Sequence, residues 1–180
     1  MLILLTGGAR SGKSALAVEL AATSGDDVVF IATARRTDDG DMAARIDRHR
    51  DERPGHWRTL EAPLDLAGAL VACGPEGTVI IDCLSVWTAN AMAGAAPEQV
   101  QREARETAAL AAARPGLTIA VTNEVGMGVH PSTEIGRTYR DVLGRVNVSW
   151  SRASAHAYVI VAGRALALAD TDVVVDQIRG

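Results

Sequence analysis

Residues 7–14 read GGARSGKS and match G-x-x-x-x-G-K-[ST] in full, between a short apolar run and a helical pattern. Gly7, Gly8 and Gly12 free the backbone to turn its N–H groups inward around phosphate oxygens, with Ala9, Arg10 and Ser11 completing the loop. The helix that follows adds the positive end of its dipole. Lys13 would then reach the terminal phosphates of a nucleoside triphosphate, and the Ser14 hydroxyl could ligate Mg²⁺. Asp82 closes the apolar run VIID, where a Walker-B-like carboxylate would hold the same ion directly or through water. The structural alternatives are a glycine-dependent strand-to-helix turn and a strand-end cap. The loop by itself implies only a bound triphosphate, since motors, switches, synthetases and small-molecule kinases share it.

A second constellation lies in DMAARIDRHRDER, at residues 41–53. Met42, Ile46 and His49 fall on one helical stripe, Arg45 and Arg53 stand four residues to either side of His49, and Arg48 and Arg50 flank it. Guanidinium groups bind phosphate oxygens in forked pairs, and neighbouring cations favour a neutral imidazole. Such an imidazole could attack phosphorus and divide a transfer into two displacements. The alternative is a partly buried histidine on a charged surface helix whose Asp47, Asp51 and Glu52 pair with the arginines. His56 and His156 read as half-buried structural groups. His130, after the glycine loop GMG, could approach a ligand.

These residues need elements to bring them together. Apolar runs at 2–6, 28–32, 78–84, 117–122 and 157–163 predict buried strands, with ALALAD as a closing strand. Helices are predicted over 13–24, 41–53, 64–72, 85–93, 97–113 and 132–154, and HWRTLEAP as an extended connection. The alternation implies βαβ units and one α/β domain spanning 1–180, a mostly parallel sheet flanked by helices. Ligands of such sheets lie beyond the carboxyl ends of the strands, where Gly7, Thr33, Asp82 and Asn123 fall.

With 180 residues, 48% apolar and 3% aromatic, the core must be built from Val, Ile, Leu and Ala. A net charge of −4 excludes the footprint of a general nucleic-acid binder. Cys73 and Cys83 lack metal-ligand spacing and read as buried structural thiols. No secretory leader and no apolar run of about 18 residues is seen, which predicts a soluble cytoplasmic protein without membrane insertion.

Taken together, TGGARSGKS, IAT, MAARIDRHRDERPGHWRTLEAP, VTNEVGMGVHP and DVLGRVN, spread over residues 6–147, resemble the bifunctional adenosylcobinamide kinase and adenosylcobinamide-phosphate guanylyltransferase family of cobalamin biosynthesis. The resemblance implies a P-loop NTPase-type fold and Mg²⁺-dependent use of ATP and GTP as substrates. It also implies a partner substrate, adenosylcobinamide, that is phosphorylated and then receives GMP by way of His49. It maps nucleotide contacts onto residues 7–14, onto Ala32, Thr33 and Ala34, onto Arg50, Asp51, Glu52 and Arg53, and onto Glu61 and Asp82. The family often has two adjacent histidines where this chain has Arg48-His49, and some members carry Glu at position 82. Relatives are described as homotrimers, which the apolar stretches 84–93 and 142–150 could serve, and residues 33–41 could act as a hinge between the two reactions. A small-molecule kinase without covalent nucleotidylation, or a nucleotide-driven switch, would share the loop but need no nucleophilic histidine.

Overall fold

The computed structural model describes residues 1–25, 27–35 and 54–179. The helix expected over 41–53, His49 and Arg50–Arg53 included, and most of the expected hinge lie outside the described residues. Among those described, seven strands and six helices alternate in the order β1 (Leu2–Gly7), α1 (Lys13–Ala22), β2 (Val28–Ala32), β3 (Arg58–Glu61), α2 (Leu66–Ala72), β4 (Thr78–Asp82), α3 (Leu84–Met92), α4 (Pro97–Ala113), β5 (Thr118–Val121), α5 (Glu134–Ala153), β6 (His156–Val161), β7 (Arg164–Ala167) and α6 (Thr171–Arg179). The strands form one sheet in the order β3-β2-β4-β5-β1-β6-β7. Every pairing is parallel except β6 with β7. This is the mostly parallel α/β architecture that the alternation predicts.

Strand side chains alternate between two apolar layers. On one face Ile3, Leu5, Phe30, Ile80 and Ile119 pack against Ala17 and Ala21 of α1, whose small side chains let the helix lie close to the sheet. On the other, Leu2, Leu4, Ile31, Val79 and Ile81 meet α2, α3, α4 and α5. Helix α4 presents Val100, Ala104, Ala108 and Ala111 as a single stripe, and Pro97 and Glu98 open it where a missing N–H costs nothing and a negative charge meets the dipole. Asp65 caps α2 through Gly68 N–H at 2.8 Å, and Thr133 caps α5 through Gly136 N–H at 3.2 Å.

Three expectations need correction. Residues 58–61 are not a connection but an edge strand, β3, bonded to β2 with Ala32 opposite Glu61. Its polar residues are exposed because an edge strand has one neighbour and little cover. His56 and His156 are exposed, not half-buried. Most apolar positions of 84–93 and 142–150 are taken up by the chain's own core: Leu84, Trp87, Val142, Leu143, Val146 and Trp150 are buried, while Val148 is half exposed. Among the apolar residues left exposed are Leu166 of β7, Val173 and Ile178 of α6, and Met127, Val129 and Ile135 around the start of α5. Helix α6 itself has no counterpart in the elements expected from the sequence.

Candidate active site

Parallel pairing sets the carboxyl ends of β1, β2, β3, β4 and β5 along one edge. The register aligns Glu61, Ala32, Asp82, Val121 and Leu5 in a single row across these strands. The glycine loop rises from that row just beyond Leu5. Gly7 has φ +146°, and a Cβ there would overlap the Ile160 carbonyl oxygen of the adjoining strand, so glycine is required by both conformation and space. Arg10 and Gly12 also have positive φ, at 57° and 101°. These turns curl the chain into a loop that ends at the first turn of α1, where no side chain caps the backbone N–H groups.

Lys13 folds back over this loop. Its Nζ donates to the Gly8 carbonyl at 2.6 Å and to Ser11 Oγ at 3.3 Å, and only 6% of the residue is exposed. Burial lowers its pKa, while Cys83 and then Asp82 act in the opposite direction. The ammonium is therefore held beside the Asp82 end of β4 with no carboxylate bonded to it among the described residues. An entering phosphate would take over from the Gly8 carbonyl as its partner. The Ser14 hydroxyl and the Asp82 carboxylate form no hydrogen bond to any described residue, and no group of three His, Cys, Asp or Glu that could cage a metal occurs among those residues. One hydroxyl and one carboxylate, completed by phosphate oxygens and water, suit Mg²⁺ rather than an all-protein cage.

Thr33 ties two strand ends together. Its hydroxyl donates to the Cys83 carbonyl and accepts from the Cys83 N–H, both at 2.8 Å, and its own N–H donates to the Asp82 carbonyl at 3.2 Å. The side chain is wholly buried, so its bonds fix the backbone around Asp82. Asn90 of α3 donates to the Thr33 and Pro63 carbonyls at 2.8 and 3.2 Å. Ala32 and Ala34 are half-buried at the rim, and Glu61 is exposed at the end of β3. His130 is exposed in the loop leading to α5.

A second polar chain runs across the rim on the other side of Cys83. Cys83 Sγ lies 2.9 Å from Ser85 Oγ, which accepts from Asn123 Nδ2 at 3.0 Å. Tyr139 of α5 donates to the Ser85 carbonyl at 3.1 Å. Asn147, two turns further along α5, accepts from Thr122 Oγ1 at 2.7 Å and donates to the Asn123 carbonyl at 3.0 Å. Burial, followed by the charge of Cys83, pushes the Tyr139 phenol up to about 12, and burial likewise raises the Cys83 thiol. Both stay neutral at physiological pH. Ser85, Tyr139 and Asn147 are not legible as site residues, because Ser85 and Tyr139 meet across 54 positions of sequence. The signal that could have directed attention here is TNEVGMG at the end of β5.

The family model described as "Cobinamide kinase / cobinamide phosphate guanyltransferase" matches residues 3–168. A Pseudomonas aeruginosa protein, "Bifunctional adenosylcobalamin biosynthesis protein CobP", is 42% identical over 161 residues, covering 89% of this chain and 92% of its own. "Bifunctional adenosylcobalamin biosynthesis protein CobU" from Salmonella typhimurium is 39% identical over 177 residues, covering 91% and 97%. Among solved structures, the flagellar accessory protein FlaH from Methanocaldococcus jannaschii aligns with TM-score 0.50 at 15% identity, over 93% of this chain and 77% of its own. An ATPase from a type III secretion system of pathogenic bacteria aligns with TM-score 0.56 at 12% identity, over 92% and 56%. At such identities these two establish the P-loop NTPase fold alone.

Proposed function

The chain belongs to the cobinamide kinase and cobinamide phosphate guanyltransferase family of enzymes, and on that premise we propose that it phosphorylates adenosylcobinamide and then transfers GMP to the product through a histidine. The observation that carries this reading is the loop 7–14, curled beneath a buried Lys13 and facing Asp82 along one edge of the sheet.

In the kinase step ATP or GTP lies with its phosphates against the loop N–H groups and the first turn of α1, and Lys13 stabilises charge on the terminal phosphate. Ser14 and Asp82 would hold Mg²⁺, which supplies charge neutralisation of the phosphate oxygens. In the second step an imidazole nitrogen of His49 attacks the α-phosphorus of GTP. A P–N bond forms, the bond to the bridging oxygen breaks, and pyrophosphate leaves. A phosphate oxygen of adenosylcobinamide phosphate then attacks the same phosphorus, the P–N bond breaks, and adenosyl-GDP-cobinamide is released. Arg50, Asp51, Glu52 and Arg53, with Ala32, Thr33, Ala34 and Glu61, are assigned to the nucleotide by the same reading. Thr33 serves the site by fixing the backbone around Asp82, since its hydroxyl is spent on Cys83 and its N–H on the Asp82 carbonyl.

The reading includes a cytoplasmic homotrimer. No helix among the described residues is long and apolar enough to cross a membrane, and the exposed apolar residues of β7 and α6 offer surface for contact between copies.

The test is incubation with α-labelled GTP followed by acid or base treatment of the denatured protein. Label that withstands base, is lost in acid and is absent from His49→Ala supports the covalent relay. Label retained by His49→Ala removes His49 from that role. A chain that phosphorylates cobinamide but never takes up label is a kinase without covalent nucleotidylation.

A further inference from the structure

Phosphorylation of an alcohol requires a group to take the hydroxyl proton, and neither Lys13 nor Asp82 suits the task. Lys13 is a cation turned toward phosphate, and Asp82 is the carboxylate set to hold Mg²⁺. The sheet order points elsewhere. β5 lies between β1, which carries the phosphate loop, and β4, which carries Asp82. Whatever follows Val121 therefore emerges between the two halves of the phosphate site.

The first three residues past β5 are Thr122, Asn123 and Glu124. Thr122 is buried against Asn147, and the Asn123 amide is spent on Ser85 while its carbonyl is held by Asn147. Glu124 stands apart from them. Its N–H donates to the Gly7 carbonyl at 3.0 Å, which seats it beside the first residue of the loop. One carboxylate oxygen accepts from Gly126 N–H at 2.5 Å, and the other has no hydrogen-bond partner among the described residues. A half-buried carboxylate with one oxygen anchored and one free is thus fixed at the rim by its own turn and by the bonds that hold the preceding residues.

We propose that Glu124 is the catalytic base of the phosphoryl transfer. The inference rests on the kinase reading above. The free oxygen accepts the proton of the cobinamide hydroxyl as that oxygen bonds to the γ-phosphorus. The bond between the γ-phosphorus and the β–γ bridging oxygen breaks, and its electron pair leaves on the nucleoside diphosphate.

Glu124→Gln separates this role from simple capping of the 124–126 turn, because the amide still offers a carbonyl oxygen to Gly126 N–H but takes no proton. Steady-state phosphorylation of cobinamide should show kcat reduced about 100- to 1,000-fold, with KM for cobinamide and nucleotide within about threefold of wild type. Glu124→Asp should recover part of the rate. Glu124→Gln at near wild-type kcat, or with a raised KM and unchanged kcat, would overturn the assignment in favour of turn capping. Glu124→Asp as slow as Glu124→Gln would also overturn it. Melting temperatures within about 2 °C of wild type are expected for both variants, a shift that corresponds to under about 1 kcal/mol. A much lower melting temperature in both would assign Glu124 to the fold and overturn the proposal. If the wild-type chain phosphorylates no cobinamide, the kinase reading falls and this assignment falls with it.

Discussion

Lys13 is an ammonium with 6% of its surface exposed whose hydrogen bonds among the described residues run to the Gly8 carbonyl and the Ser11 hydroxyl. Burial lowers its pKa from 10.5, so the folded chain holds this proton less tightly than the unfolded chain does. Between the folded value and 10.5 the unfolded state binds more protons, and stability contributed at this site rises with pH. Lys13→Met, which keeps the length and apolar stem, removes the cost of the buried charge. Phosphoryl transfer should fall at least about 100-fold, while the nucleotide-free protein should gain about 1 kcal/mol, or roughly 3 °C in melting temperature. That gain should narrow as pH approaches 10.5. Thermal melts across pH 7–10 beside turnover measurements check both halves, and a variant less stable than wild type would mean that the bonds to Gly8 and Ser11 outweigh desolvation. Lys13 was legible in the sequence because the loop's chemistry is local: glycines, lysine and serine act within eight consecutive residues. Ser85, Asn123 and Tyr139 act only after the chain has folded, and no local pattern marks their meeting.

At the scale of elements, what could be read was what is apolar and continuous. β1, β2, β4 and β5 are buried on both faces and appear as runs of Val, Ile and Leu, and α4 was bounded to the residue by Pro97 and its alanine stripe. β3 is not legible as a strand because Arg58, Thr59 and Glu61 are exposed on an edge and break the apolar signature. α6 leaves no signature because none of its residues is buried, so no core-facing stripe has to form. α5 shows how an element joins packing to the site. Val142, Leu143, Val146 and Trp150 anchor it in the core, and its other polar contacts bring Tyr139 and Asn147 to the rim. Tyr139→Phe should cost about 1 kcal/mol at neutral pH through the lost bond to the Ser85 carbonyl. The phenol of the folded chain holds its proton to about 12, whereas an unfolded tyrosine releases it near 10. The unfolded state therefore loses its proton first, and this site's contribution falls as pH rises from 10 to 12. The difference between wild type and Tyr139→Phe should shrink and then reverse over that interval in urea unfolding curves. A constant difference would mean that the phenol is not the buried donor described.

Across the whole molecule, the sheet separates a chemical end from a structural end. Among the described residues, the Ser14 hydroxyl and the Asp82 carboxylate at the carboxyl edge have no hydrogen-bond partner, while the opposite edge is closed by Arg114, 7% exposed at the end of α4. Its guanidinium donates to the carbonyls of Gly74, Glu76, Leu117 and, at 3.5 Å, Gly77, and to Thr118 Oγ1 at 2.7 Å. These groups belong to the turns leading into β4 and β5, and the N-terminal ammonium reinforces them from β1 by donating to the carbonyls of Arg114 and Gly116. No carboxylate among the described residues is bonded to Arg114, so the charge is satisfied by peptide dipoles, and its removal would leave several carbonyls without a donor. Arg114→Met should therefore lower stability by about 3 kcal/mol, a melting temperature roughly 6–12 °C lower. Because the rivet lies at the amino ends of the strands, KM for GTP and, on the reading proposed above, the yield of guanylylated enzyme at 25 °C should stay within about twofold of wild type. Differential scanning calorimetry and nucleotide titration on the same preparation test the separation. A raised KM at 25 °C, with the chain still folded, would mean that strain at the amino ends of β4 and β5 reaches Asp82 and Glu124 along the strands, and that the two ends are one mechanical unit.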